Sequence, residues 1–140
     1  MISKEDIQSI PLKGDVNFRE QKININNTAL LIIDLQKGEY NSKLIKERPE
    51  DNYMWDRIKN VVLPNGKKII EKCRQNKIEV IFTVIESYTK DGRDRGIDYK
   101  ISGIFCPKNS KEAEVIDEIK PLDNEIVIPK TSSSVFNSTN

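Results

Sequence analysis

Two residues of this sequence stand where chemistry is readily done. Asp34 closes the apolar run Thr28-Ala-Leu-Leu-Ile-Ile-Asp34, and Lys130 directly follows a second run, Glu125-Ile-Val-Ile-Pro129. The 140 residues include no histidine, which excludes Ser-His-Asp and Cys-His catalysis within them and removes the commonest ligand for zinc, copper or non-haem iron. Acid and base must then be Asp, Glu, Lys, Cys or Tyr. The two cysteines, Cys73 and Cys106, are too few for a disulfide framework, and their spacing fits no paired metal-ligand pattern. No metal site and no cofactor is expected. Asp34 and Lys130 each have a plainer reading as well: an Asp ending a strand is a turn former, and a Lys after a Pro is a common solvated rim residue.

The elements that would position these residues are legible as alternating types. Thr28 to Asp34 is short, continuous and apolar, as expected of a strand buried on both faces of a parallel sheet. Trp55, Ile58, Val62, Ile69, Ile70 and Cys73 recur at near-helical spacing, interrupted by Pro64 and Gly66, and Pro is tolerated in a helix's first turn. The helix is therefore predicted over 64–76, after a looser turn, with Cys73 as a small hydrophobe on its apolar stripe. Ile78 to Ile85 is rich in β-branched residues and reads as a second strand. Residues 86–109 carry no sustained period and read as a long loop, of a length that is usually functional or flexible. Cys106 falls in it and could approach the crevice, but no charge partner stands near it in sequence. Ser110 is a good N-cap for a helix over Lys111 to Lys120, with Ala113, Val115, Ile116 and Ile119 as its stripe and Pro121 ending it. Residues 125–129 give a third strand.

Strand, helix, strand, helix, strand is the first half of an open α/β sheet, with strand order 3-2-1 and flanking helices. In such sheets the ligand crevice lies outside the carboxyl ends of the strands, where Asp34 and Lys130 would stand. Residues 1–27 are polar and broken by Pro11 and Gly14, and read as an N-terminal arm to a domain over 28–140.

The wording around the two residues is more specific. Ala29-Leu-Leu-Ile-Ile-Asp34-Leu-Gln36 resembles the opening strand of isochorismatase-like cysteine hydrolases. Ile128-Pro129-Lys130-Thr-Ser-Ser-Ser134-Val-Phe136 resembles their third strand, where a lysine is followed by a small residue and an aromatic at this spacing. The resemblance covers about 28–140 and implies the Rossmann-type sheet of that family. It also implies a triad of Asp, Lys and Cys that hydrolyses C–N bonds of small amides or ureides. In that triad Asp34 would take the thiol proton, and Lys130 would lower the thiol pKa and stabilise developing negative charge. Gln36 and Tyr40 would lie near the pocket mouth. The string from Thr83 through Glu86 to Arg95 resembles the metal-free members, such as ureidoacrylate and biuret hydrolases, rather than nicotinamidases with their metal-binding Asp and histidines. Glu86 would contact a urea-like N–H, unless it is simply a solvated loop carboxylate.

The family's nucleophile follows a fourth strand, which on this alignment would come after Asn140. The expectation is a truncated domain, inactive alone, that either self-associates or meets a complementing C-terminal fragment; a noncatalytic binding module using the same pairing is the alternative. Composition narrows the other partners. Charged residues make up 32% of the chain, yet 23 basic and 22 acidic residues leave a net charge of +1, giving no general attraction to nucleic acid or anionic lipid. The longest apolar run, Ala29 to Ile33, is far short of the ~20 residues of a membrane span. With no signal-peptide pattern at the N-terminus, a cytoplasmic protein is expected.

Overall fold

A computed structural model describes residues 24–38 and 52–138. Most of the expected arm, and Tyr40, lie outside the described residues. Three strands form one parallel sheet in the order β1 (Ala29–Ile33), β2 (Glu79–Ile85), β3 (Ile126–Lys130), which is the expected 3-2-1 order read from the other edge. Register aligns Leu31 with Ile81 and Ile126, and Ile33 with Thr83 and Ile128. Because neighbouring positions in register share a face, the sheet has one face built from Ile32, Val80, Phe82 and Val84. These residues form the main core with Leu63, Ile70, Val115, Ile116 and Ile119.

The helix covering that face is longer than the periodicity suggested. It begins as α1 (Asn52–Arg57), widens to a π-helical stretch at Ile58–Val62, and continues as α2 (Leu63–Gln75). The expected looser turn is thus helical. Widening is how the helix absorbs Pro64: the Leu63 amide reaches back five residues to the Ile58 carbonyl, which relieves the crowding a proline imposes on the preceding turn. α2 buries Leu63 and Ile70, each worth about 1.5–3 kcal/mol of apolar transfer. It ends in a Schellman motif, with Lys77 at φ 58 and the Ile78 amide donating to the Cys73 carbonyl at 2.9 Å.

Two expectations about the remaining segments fail. Residues 111–120 are not a helix but two 3₁₀ turns, Lys111–Ala113 and Asp117–Ile119, separated by extended backbone. The extended stretch lies against the chain leaving β1. Val115 bridges antiparallel to Gln36, the Lys37 amide donates to the Glu114 carbonyl at 2.9 Å, and the Ile116 amide donates to the Leu35 carbonyl at 3.1 Å. Backbone groups satisfied in this tertiary pairing are not available for a helical ladder. The long loop, conversely, contains a helix, α3 (Ile97–Ser102), opened by Gly96 and closed by Gly103 at φ 72. A last short helix, α4 (Val135–Ser138), follows β3. Among the described residues no helix is long and apolar enough to cross a membrane.

Candidate functional site

β1 and β3 are not neighbours; β2 lies between them, so their backbones stand about 10 Å apart at ~4.8 Å per strand. Only a long side chain crosses that gap, and Lys130 does. Its ammonium lies 2.8 Å from Asp34 Oδ2. The Asp34 amide makes a last ladder bond to the Thr83 carbonyl at 3.0 Å. The chain then turns sharply, with Asp34 at φ 54 and the Gln36 amide donating to the Asp34 carbonyl at 2.9 Å. Asp is among the few residues other than glycine that adopt this left-handed conformation readily. The turn leaves the carboxylate over the end of β2, where the Thr83 hydroxyl donates to Oδ1 at 2.8 Å. Each carboxylate oxygen is thereby held by a different strand.

Lys130 is 3% exposed. Its ammonium also donates to the Tyr99 phenol oxygen at 2.5 Å and reaches the Ser132 and Ser133 carbonyls at 3.4 Å. Burial works against its charge, but the hydrogen bonds to Asp34 and Tyr99 outweigh it and hold the lysine pKa above the ordinary value. Lys130 is accordingly a fixed cation at neutral pH. Burial raises the Tyr99 phenol, opposed by the nearby ammonium, so the phenol stays neutral. The site thus offers a partly exposed carboxylate able to accept a proton, beside a buried cation able to stabilise negative charge.

The other residues singled out in the sequence are placed differently. Gln36 is not at a pocket mouth: it is fully buried. Its amide nitrogen donates to the Ile85 and Glu112 carbonyls, both at 2.9 Å, and its oxygen accepts from the Ile85 amide at 2.5 Å. Every polar group of that side chain is committed to backbone. Glu86 does not join the Asp34–Lys130 pair; its Oε1 accepts from the Asn109 amide at 2.7 Å, bracing the loop before the first 3₁₀ turn. Cys106 is buried with Ile85, Tyr99 and Ala113, its sulfur 3.5 Å from the Gln36 amide nitrogen. Cys73 packs against the main core. Among the described residues no cluster of His, Cys, Asp or Glu could hold a metal ion.

Sequence reasoning missed Thr83, Tyr99 and Asp98. Thr83 carries a weak signal, a lone hydroxyl inside the run of Val, Ile and Phe that makes β2. Tyr99 carries none, since it lies in a segment without period. The Asp98 carboxylate accepts from the Ser133 amide at 2.6 Å, tying α3 to the turn that follows Lys130.

Comparison with known proteins identifies the surroundings of this site. The Isochorismatase domain family matches residues 28–140. An N-carbamoylsarcosine amidase of an Arthrobacter species is 33% identical over 84 residues, 56% of this chain and 32% of that protein. The isochorismatase family protein YrdC of Bacillus subtilis is 34% identical over 114 residues, 80% of this chain and 48% of that protein. Among solved structures, an N-carbamoylsarcosine amidase from Thermoplasma acidophilum aligns with TM-score 0.55 and 23% identity, over 78% of this chain and 54% of that one. A cysteine hydrolase from Pseudomonas syringae aligns with TM-score 0.59 and 20% identity, over 83% and 52% respectively. These two likenesses establish a shared fold. The chain spans between about a third and a half of the length of the curated relatives it matches.

Proposed function

This chain belongs to the isochorismatase family, and from that premise we propose that Asp34 and Lys130 are two members of an Asp-Lys-Cys triad hydrolysing a C–N bond of a small amide or ureide. The observation carrying this reading is the 2.8 Å contact between the two side chains at the carboxyl end of the sheet. The names of the relatives, two of them amidases of an N-carbamoyl amino acid, favour a ureide over a peptide. On this reading Asp34 takes the proton of a thiol, the thiolate attacks the substrate carbonyl, and Lys130 stabilises the oxyanion. The departing amine recovers the proton from Asp34, and water then cleaves the covalent intermediate, a thioester from an amide or an S-carbamoyl thiocarbamate from a ureide, returning the thiol.

Neither cysteine of these residues fills the third role well. Cys73 packs on the core and Cys106 is enclosed by apolar side chains and the Gln36 amide. The nucleophile is therefore assigned to a segment outside residues 1–140, and the 140-residue chain is inactive by itself. Where that segment comes from, whether a continuation, a complementing fragment or a partner, is tied to β1, which pairs with β2 alone among the described residues. The same open edge favours the second reading, a noncatalytic module that binds a partner strand.

Translation of the DNA beyond codon 140 tests the assignment. It should encode a further strand followed by a cysteine, and a chain continued through it should hydrolyse N-carbamoyl amino acids or related ureides. Asp34→Asn and Lys130→Met should each lower kcat by about 10³-fold or more without unfolding the chain. The 140-residue chain should hydrolyse none of these substrates. Activity from it that is lost in Cys106→Ser would overturn the assignment of the nucleophile, and full activity of the continued Asp34→Asn variant would overturn the triad.

A further inference from the structure

We propose that Tyr99 is a positioning residue that aims the Lys130 ammonium at Asp34, and that α3 is the brace holding Tyr99 in place; as a statement about catalysis this rests on the hydrolase reading above. An ammonium has three protons to satisfy. At Lys130 one goes to Asp34 at 2.8 Å and one to the Tyr99 oxygen at 2.5 Å. The third is left to the Ser132 and Ser133 carbonyls, both at 3.4 Å. Of the two short contacts, that to Tyr99 fixes the direction of the side chain independently of Asp34. In a site this buried, removing the phenol oxygen strands a proton that water reaches poorly. The ammonium would then turn toward the serine carbonyls, and its contact with Asp34 would lengthen. Because the phenol is neutral, it offers a lone pair without competing with Asp34 as an anion. Tyr99 is itself buried, in a cluster with Ile85, Cys106 and Ala113, so it acts through Lys130 rather than on a substrate.

The brace is visible in the backbone. The Gly96 amide donates to the Thr131 carbonyl at 2.7 Å, and Asp98 accepts from the Ser133 amide at 2.6 Å. Both ties join the start of α3 to the turn that follows Lys130. Gly96 permits this approach, since a Cβ there would meet Asp98 Oδ1 at 2.5 Å and Ser132 Cβ at 2.9 Å. The helix carrying the phenol and the turn carrying the competing carbonyls are thereby one unit. Among the described residues, the titratable groups acting on the ammonium are Asp34 from the end of β1 and Tyr99 from α3.

The test is read without turnover. In protein labelled with ¹⁵N-lysine, the Lys130 ammonium protons of Tyr99→Phe should exchange with water about tenfold faster than in the parent, and the Lys130 pKa should fall, as expected from loss of one charge-assisted hydrogen bond. A folded Tyr99→Phe variant with both values unchanged would overturn the proposal. Should that variant fail to fold, 3-fluorotyrosine incorporated into the parent gives a second measurement. Lys130→Met must move the fluorine resonance of the buried ring, and an unmoved resonance would overturn it equally. In an active, continued chain Tyr99→Phe should lower kcat about tenfold with KM unchanged. An altered ammonium in a continued chain whose parent, with the further strand and cysteine present, shows no hydrolysis would sink the hydrolase reading while leaving the positioning role intact.

Discussion

At Asp34 and Gln36, two residues apart, polar side chains serve opposite ends. Asp34 leaves the strand in the left-handed conformation and keeps one side of its carboxylate open, held by Thr83 and Lys130. Gln36 turns inward, and its amide substitutes for the missing ladder between the end of β2 and the 3₁₀ segment at 111–113. A buried amide whose nitrogen and oxygen both bond backbone is structural, and its removal leaves the Ile85 amide and two carbonyls with fewer partners than they need. Gln36→Met, which preserves volume but removes both ends of the amide, should cost about 2–4 kcal/mol of stability. Urea melts of the variant against the parent would show this as a lowered midpoint with an unchanged slope. A Gln36→Met protein as stable as the parent would return Gln36 to the pocket as a free recognition group.

Among the elements, what the sequence revealed was the sheet. Three apolar runs ending at Ile33, Ile85 and Pro129 became three strands with ends shifted by a residue or so, because a short apolar run rich in β-branched residues has few alternatives; the expected burial on both faces fails for β1 and holds over most of β2. The helices were legible only where local pattern and tertiary pairing agreed. Ala113, Val115, Ile116 and Ile119 are all buried, so the apolar spacing was read correctly, but the backbone of 114–116 pairs with the chain after β1, and no propensity rule sees that partner. Asp34 and Lys130 were legible as strand ends; Tyr99 was not, because its role depends on where α3 lands. A pairing that no local rule would find also ties α2 to the start of β3: Arg74 Nε and Nη2 donate to the two Glu125 oxygens at 2.8 and 2.7 Å. That guanidinium holds the mostly buried Glu125 carboxyl below the ordinary glutamate range. The unfolded glutamate therefore binds its proton at a higher pH than the folded one. The resulting stability is fully present above the unfolded pKa and is lost as pH falls through the folded one. Glu125→Gln should flatten the loss of stability as pH falls through and below the ordinary glutamate range, and cost about 1–2 kcal/mol at neutral pH. Chemical denaturation across that range checks both.

For the molecule as a whole, the decisive asymmetry is between the two faces of the sheet. One is covered by α2 and the 115–119 segment. The other presents Leu31, Ile33 and Ile126 at 41%, 61% and 48% exposure, in register across the strands with Ile81 and Ile128, which are only partly covered. Beside them β1 has β2 as its sole described neighbour, leaving a row of backbone donors and acceptors that templates pairing with another strand. Covering the three exposed side chains is worth on the order of 1 kcal/mol each, since each is about half exposed and full burial brings ~1.5–3. Two copies meeting through this face would gain that on both sides, and two copies pairing along the edge of β1 would instead add ladder bonds. The expected outcome is that the isolated 140-residue chain self-associates at micromolar concentrations, or is partly molten when kept dilute. Sedimentation and amide exchange distinguish the cases. Association should fall in Ile33→Lys, which places a charge on the most exposed of these side chains, beside the open edge of β1, and β1 amides should gain protection as concentration rises. A monomer at all concentrations with strongly protected amides throughout residues 29–34 would mean that this face needs no partner, and the open edge of β1 would lose its place in the functional reading.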